Sequence, residues 1–424
     1  MYKAAFSAAG CKLNQYEVQA IAEALEPYGI ETVPFSEKAD IYVINTCTVT
    51  SRADLSSRQL IRQAHRRSPD AKIVVTGCYA EIDKSALEKI DGISLLGDNS
   101  NKEDLPKQIL KLLGIDSHIE KQEMLSISTM KGHSRAFVKI QDGCDDRCSY
   151  CVIWRARGKP RSRNVCNIIN EINRLAFNGY NEIVLSGVHI GKYYYGGGDL
   201  AALIDEILVN TDIPRIRLSS LKPNEISDDL LQLLADDSRI CPHYHLSIQS
   251  ADDEILTKMN RGYKVSAISD AIRKLISVRP KSTIGADIIV GFPGESDRHF
   301  TNTRSMIENH PIHHLHVFSY SDRPGTAASE MPDKINPAVK NQRREILQEL
   351  AIQKKAAHLN SFVGKTLDAI VESRDSNGLA VATTGNFLKV RFVSDEDLTK
   401  KLVLVAVNSV EKDFLKGELI EIRR

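Results

Sequence analysis

The sequence predicts a multidomain α/β protein: an N-terminal parallel α/β domain, a central partial (β/α)6 barrel and a small C-terminal all-β barrel. Three observations predict it. The chain has 424 residues, room for about three domains at roughly 150 residues each. Two separate series of apolar strand patterns alternate with helical ones. Past residue 360 that alternation gives way to short runs broken by Gly and Asn. The expected boundaries are 1–118, 130–357 and 360–424.

In the first domain "YKAAFSAAG", "DIYVINTCTVT" and "AKIVVTGCYAE" read as strands, with the helical patterns "NQYEVQAIAEALEPYG" and "ADLSSRQLIRQAHRRS" between them. A βα series of this kind implies a parallel sheet. A polar crossover near residues 115–134 follows. The central series reads "RAFVKIQ", "EIVLSGV", "RIRLSSL", "HYHLSIQ", "TIGADIIVGF" and "HLHVFSY". Six βα units imply a curved parallel sheet whose ligands gather at the strand C-termini. The last region, "GKTLDAIVES", "GLAVATTGNFLKVRF" and "LVLVAVNSVEKDFLKGELIEI", reads as a small barrel. From 361 to 424 it holds ten Lys and Arg against ten Asp and Glu, so charge alone does not make it an RNA-binding module, and a structural cap is the competing reading.

Hydrophobic residues are 42% and charged residues 26%, with net charge +1, which argues against a disordered or polycationic chain; nucleic acid would have to be held by local patches. No basic flank precedes a long apolar run, and no stretch approaches the ~20 apolar residues of a membrane span. A cytoplasmic protein without a membrane partner is expected. Eight cysteines then read as reduced thiols that bind metal or do chemistry. Cys166 and Cys241 stand alone and read as small buried hydrophobes. Cys11, Cys47 and Cys78 each fall just past a strand, so a parallel sheet would bring all three to one edge.

Cys144, Cys148 and Cys151 form the spacing C-x3-C-x2-C after the first strand of the central series. A structural zinc site needs four ligands, usually as two paired hooks. Three thiolates instead suit a cubane iron–sulfur cluster whose fourth iron is left open. A zinc knuckle that borrows a distant fourth ligand is the competing reading. With Tyr150 before the third cysteine, this stretch resembles the cluster loop of radical S-adenosylmethionine (SAM) enzymes. The resemblance implies that the open iron chelates SAM and that an electron from the cluster releases a 5′-deoxyadenosyl radical, with an electron donor protein as partner.

Further motifs extend the resemblance over nearly the whole chain. "GCKLNQYE", "NTCTVTSRADLSSRQLIRQAHR" and "VTGCYAE" resemble the N-terminal domain of the methylthiotransferases, implying a second [4Fe-4S] cluster on Cys11, Cys47 and Cys78. "TGNFLKVRF" resembles the closing TRAM domain of that family. "NTCTVT" with "LSGVHIGKY" resembles the branch acting on N6-threonylcarbamoyladenosine in the tRNA anticodon loop. The implied cofactors are two [4Fe-4S] clusters and SAM. The implied product is the 2-methylthio base: the central cluster makes the radical, the N-terminal one supplies sulfur, and a second SAM supplies methyl. Competing readings are action on N6-isopentenyladenosine, action on a ribosomal protein aspartate, and a non-enzymatic zinc-binding RNA module.

A SAM pocket is expected to use Tyr150, Ser186, His189, Ser219, Gln249, Gly285, Gly291, Pro293 and Glu295. Small residues in "GADIIVGFPGE" would allow close backbone approach to adenine or ribose, although Gly-Phe-Pro-Gly alone reads as a turn, and His189 and Gln249 also suit satisfied structural groups. Ser250 is expected beside Gln249. Two departures from the family pattern stand out: Trp154-Arg155 follows Ile153 where the family has proline and an aromatic, and Lys222 follows Leu221 where it has glutamate, leaving Lys222 or nearby Glu225 to serve in its place. Finally, Arg155, Arg157, Lys159, Arg161 and Arg163 crowd the cluster loop. Such a run is ordinarily a solvated face, but beside a cavity it would hold RNA phosphates.

Overall fold

The computed structural model describes residues 2–116 and 125–423, so the polar crossover falls partly outside the described residues. The first sheet holds β1 (Tyr2–Ala8), β2 (Ile30–Val33), β3 (Ile41–Thr46), β4 (Lys72–Gly77) and β5 (Ile93–Leu96), in the order β2-β1-β3-β4-β5. Every pairing is parallel. β3 is buried along its whole length, which explains why "IYVINT" lacks a polar face. Helices α1 (Lys12–Leu25), α2 (Ser51–Arg67) and α3 (Cys78–Ile82) each start just past one of the three central strands. α2 begins at Thr50, whose side chain accepts the Ala53 N–H.

The central sheet contains β6 (Ala136–Asp142), the two-residue antiparallel edge β7 (Arg161–Ser162), β8 (Glu182–Gly187), β9 (Arg215–Leu218), β10 (His243–Gln249), β11 (Thr283–Val290) and β12 (His314–Ser319). β6, β8 and β9 pair in parallel, as do β10, β11 and β12. Single parallel bridges, Ile216 to Ile240 and Leu221 to Leu246, connect the two groups. The result is a six-stranded partial barrel with helices outside. Its core also takes in Tyr16 and Ala20 of α1, so the N-terminal sheet shares apolar packing with it. Glu23 of α1 accepts the N–H groups of Ser128 and Thr129 at 2.6 and 3.0 Å.

The chain then runs through the helix Pro337–Asn360 into β13 (Thr366–Arg374), β14 (Ala380–Thr384), β15 (Lys389–Phe392), β16 (Leu402–Glu411) and β17 (Phe414–Arg423), which close as a barrel in the order β13-β14-β15-β17-β16. Its turn 384–387 reaches the N-terminal end of the central strands. Arg217 donates to the carbonyls of Gly385 and Thr384 at 2.9 and 3.1 Å, and Phe387 stacks on His243 with ring centroids 4.5 Å apart. The small barrel therefore plugs the end of the central barrel opposite Cys144, Cys148 and Cys151, which follow the C-terminus of β6. No helix among the described residues is long and apolar enough to cross a membrane.

Candidate functional site: two thiol triads around one cavity

β1, β3 and β4 are neighbours in the sheet, and one cysteine follows each: Cys11 before α1, Cys47 directly after Thr46, and Cys78 opening α3. Gly10, at φ +87°, has no room for a side chain, since a Cβ there would lie 2.6 Å from Cys47 Sγ. That contact seats the Cys11 turn on Cys47. Gly77, at φ +102°, crosses Thr46 as closely, a Cβ falling 2.3 Å from its carbonyl. Burial pushes the Cys47 thiol up to about 11, so a thiolate there calls for a neighbouring cation.

The second triad lies in the loop after β6. Gly143 lets that loop cross Lys159, whose carbonyl would sit 2.1 Å from an added Cβ, and the Cys144 N–H donates to Gly158 O at 3.0 Å. The Cys148 carbonyl accepts the Cys151 N–H at 3.0 Å. Donors are aimed at the sulfurs: Ile153 N–H to Cys151 Sγ at 3.4 Å, and Arg261 to Cys148 Sγ at 3.5 Å, with Tyr150 Oη also within 3.4 Å of Arg261. Burial pushes the Cys151 thiol up to about 12. Cys47, Cys78 and Cys148 are buried, Cys144 and Cys151 half-buried and Cys11 exposed, and N–H donors point at sulfurs of both triads, Arg157 Nε lying 3.3 Å from Cys78 Sγ; such donor sets fit iron–sulfur groups held by three thiolates.

The remaining cysteines do not complete either set. Cys241 is buried, but Cys166 is exposed at the start of helix Val165–Phe177, which corrects its reading as a buried hydrophobe. Asp146 and His189 offer ligand atoms near Cys144 Sγ, yet both are engaged. His189 Nδ1 lies 3.6 Å from Cys144 Sγ and 3.2 Å from Asp146, and its Nε2 meets Glu225. Burial opposes the imidazolium, but the bonds to Asp146, Cys144 and Glu225 outweigh it and push His189 up to about 10. Asp146 also holds Lys192 and Lys222. Lys222, the departure from the family pattern, thus braces the cluster loop, while Glu225 accepts the Lys222 backbone N–H at 2.9 Å.

A cavity of about 250 Å³ lies between the two triads' loops. Val49 and Thr50, just past Cys47, form one wall; Tyr150 and Gln249 of the central barrel face them, with Asp287, Ile289 and Phe318. Gln249 reaches it from a backbone at φ +70°. Val49 and Phe318 remain 54% and 46% exposed, an apolar rim open to a flat ligand. Deeper in the barrel, His245 and His316 both approach Asp287 Oδ1, at 2.9 and 3.1 Å. A larger hollow of about 480 Å³ beside Arg298 and Asn302 has no cysteine in its walls.

Several sequence expectations need correction. Glu295 accepts the Gly291 N–H at 3.0 Å and pairs with Arg343 at 2.6 Å, so it closes its own turn instead of facing a ligand. Gly285 and Gly291 make room for His245 and Lys340, since added Cβ atoms would lie 2.6 and 2.3 Å from those side chains; Pro293 is buried in the same turn. Ser186 is buried and donates to Val184 O at 3.1 Å. Ser219 is half-buried at the end of β9, while the Ser250 hydroxyl lies 3.4 Å from that of Thr303. Arg157 and Arg163 are 5% and 3% exposed and cannot hold phosphate. Arg163 pairs with Glu171 at 2.6 Å, and Arg157 pairs with Glu17 and Asp142 at 2.8 and 3.1 Å. Arg155 and Lys159 are exposed and Arg161 is partly so.

Sequence reasoning missed Arg261, Asp146 and the buried group of Glu17, Lys102, Lys139 and Asp142. The signal for the last was present: Lys139, Gln141 and Asp142 are polar residues on a strand with no exposed position, and buried charges occur in pairs.

Comparison with known proteins agrees with this geometry. Residues 3–97 match the family model described as Uncharacterized protein family UPF0004, and residues 138–307 match the Radical SAM superfamily. Threonylcarbamoyladenosine tRNA methylthiotransferase MtaB of Bacillus subtilis is 34% identical over 100% of this chain and 97% of its own. The protein of the same name from Aquifex aeolicus is 38% identical over 87% of this chain and 92% of its own. A tRNA-2-methylthio-N(6)-dimethylallyladenosine synthase of Thermoanaerobacter is 33% identical over 98% of this chain and 92% of its own. Among solved structures, the radical S-adenosylmethionine methyltransferase TsrM of Kitasatospora setae aligns with TM-score 0.60 at 17% identity, over 78% of this chain and 77% of its own; it shares the fold. The chain belongs to the radical SAM methylthiotransferase family, in the branch of the threonylcarbamoyladenosine tRNA methylthiotransferases.

Proposed function

We propose that this protein methylthiolates C2 of N6-threonylcarbamoyladenosine beside the tRNA anticodon, in the cytoplasm, with SAM as co-substrate and an electron donor protein as partner. The observation that carries this reading is the cavity walled on one side by Val49 and Thr50, just past Cys47, and on the other by Tyr150, next to Cys148 and Cys151. An aromatic C2–H is neither acidic nor bonded to a leaving group, so proton-transfer chemistry is a poor route to its replacement. Iron–sulfur groups on Cys144, Cys148 and Cys151 and on Cys11, Cys47 and Cys78 would supply radical generation from SAM and sulfur, respectively.

The chain's own side chains do the rest. Arg261 holds both Cys148 and Tyr150, so the loop that carries the thiols also shapes the cavity wall. His189, fixed between Asp146 and Glu225, holds Cys144. Phe318 and Val49 offer flat apolar surface against which a base splayed from an anticodon loop can stack. Asp287, braced by two imidazoles, gives the cavity a polar wall suited to the donor groups of a threonylcarbamoyl substituent and poorly suited to an isopentenyl chain. Of the cation run 155–163, exposed Arg155 and Lys159 and half-buried Arg161 are left to meet phosphates.

The test is nucleoside mass spectrometry of tRNA after incubation with anaerobically reconstituted protein, SAM and reductant. Transfer RNA carrying N6-threonylcarbamoyladenosine should gain the 2-methylthio group. Product only on dimethylallyl-modified tRNA, or on neither, would contradict the reading.

A further inference from the structure

Arg157 stands six residues beyond Cys151, yet its guanidinium is aimed at the other thiol triad. Nε lies 3.3 Å from Cys78 Sγ, while the terminal nitrogens are held by Glu17 at 2.8 Å, Asp142 at 3.1 Å and Asn14 at 2.7 Å. Lys102 joins Glu17 at 2.5 Å, and Lys139 joins Glu17 and Asp142 at 2.9 and 2.7 Å. In this buried group three cations face two carboxylates. One positive charge is in excess, an expensive arrangement unless another anion lies beside it. Three thiolates on a doubly positive iron–sulfur core carry one net negative charge, and Arg157 is the member of the group that touches a thiol of the N-terminal triad.

We propose that Arg157 is a positioning residue for the N-terminal iron–sulfur group: its N–H···S bond fixes Cys78 and its charge raises that group's reduction potential. A donor and a positive charge beside a sulfur favour the reduced, more negative state. The loop that bears the radical-generating thiols therefore also tunes the sulfur-supplying site. The inference rests on the reading that Cys11, Cys47 and Cys78 hold such a group.

The experiment uses the full-length chain with Cys144, Cys148 and Cys151 all replaced by Ala, reconstituted anaerobically, so that only the N-terminal group is titrated. Its midpoint potential is followed by electron paramagnetic resonance in the Arg157 parent and in Arg157→Lys and Arg157→Gln, with Arg163→Lys as the control that weakens a buried pair touching no thiol. Arg157→Lys keeps the charge and loses the planar donor, so its midpoint should shift negative; Arg157→Gln should shift further. If the Gln variant fails to fold, the Lys variant carries the test alone. An unchanged midpoint, or an equal shift in Arg163→Lys, overturns the proposal. Absence of iron from the parent overturns instead the reading that these three thiols bind a cluster, and the inference falls with it.

Discussion

The two ends of the central barrel are both built on buried arginine–carboxylate groups, but the charge of the arginines is met differently. At the N-terminal end Glu182 pairs with Arg215 and Arg217 at 2.7 Å each, and with Arg135 at 3.5 Å. There Arg135 and Arg215 find second carboxylates in Glu372 and Asp368 of the small barrel, at 2.9 and 3.3 Å, and Arg215 and Arg217 also donate to backbone carbonyls of residues 383–385. At the C-terminal end three cations face two carboxylates, and one of the cations, Arg157, meets a sulfur. Carboxylates and carbonyl oxygens paired in this way keep their charge, whereas thiolates bind metal and change charge with it. The same electrostatic device thus serves docking at one end and chemistry at the other.

Disrupting the docking end should give the largest loss of stability. Glu182→Gln leaves buried Arg217 without its carboxylate and Arg135 and Arg215 with only Glu372 and Asp368, and should lower stability by about 3–5 kcal/mol in chemical denaturation, while methylthiolation per folded chain stays near parental. Burial opposes ionisation of Glu182, but Arg215 and Arg217 outweigh it and bring the carboxyl from its ordinary 4.5 down to about 2. Its contribution is therefore complete above pH 4.5 and lost as pH falls toward 2. The variant should show a flatter acid branch of stability over that window; loss of activity beyond the loss of folded protein would contradict the division between the two ends.

Changes at the exposed rim of the cavity should leave stability nearly untouched. Phe318→Ala removes the exposed ring at the cavity rim and should cost about 1–3 kcal/mol of substrate binding, seen as a fall in kcat/KM with an unshifted melting temperature. The smaller effect is expected from reversing Arg155 and Lys159 to Glu. Each lost phosphate contact should reduce the slope of log affinity against log salt by roughly 0.7–0.9 in a tRNA-binding titration. Unchanged binding would remove this loop from the RNA-facing surface.

How far the residues themselves announced this arrangement varies by region. The six central strands and the three cysteine-tipped ones are apolar runs of strand length between turn residues, and local periodicity suffices to place them. The edge strand Arg161–Ser162 has two residues and owes its existence to pairing with Gln141 and Asp142, which no local pattern encodes. The arginine run misled for the same reason. Arg155 and Arg157 look alike in sequence, but Arg157 is buried because Glu17, 140 residues earlier, waits for it across the domain contact. Likewise, the glycines of "GADIIVGFPGE" marked close approach correctly, yet what approaches is His245 and Lys340. Cys144, Cys148 and Cys151 share one loop because their spacing is local, whereas a buried ion pair is set by tertiary contact.

The central claim is that both thiol triads serve one cavity. It is tested most directly by measuring iron, sulfide and modified nucleoside together in three full-length proteins: the parent, Cys11→Ala/Cys47→Ala/Cys78→Ala, and Cys144→Ala/Cys148→Ala/Cys151→Ala. The parent should hold two clusters' worth of iron and sulfide and form 2-methylthio product, while each triple variant should hold one cluster's worth and form none. Methylthio product from either triple variant, or zinc in place of iron in the parent, would contradict the account.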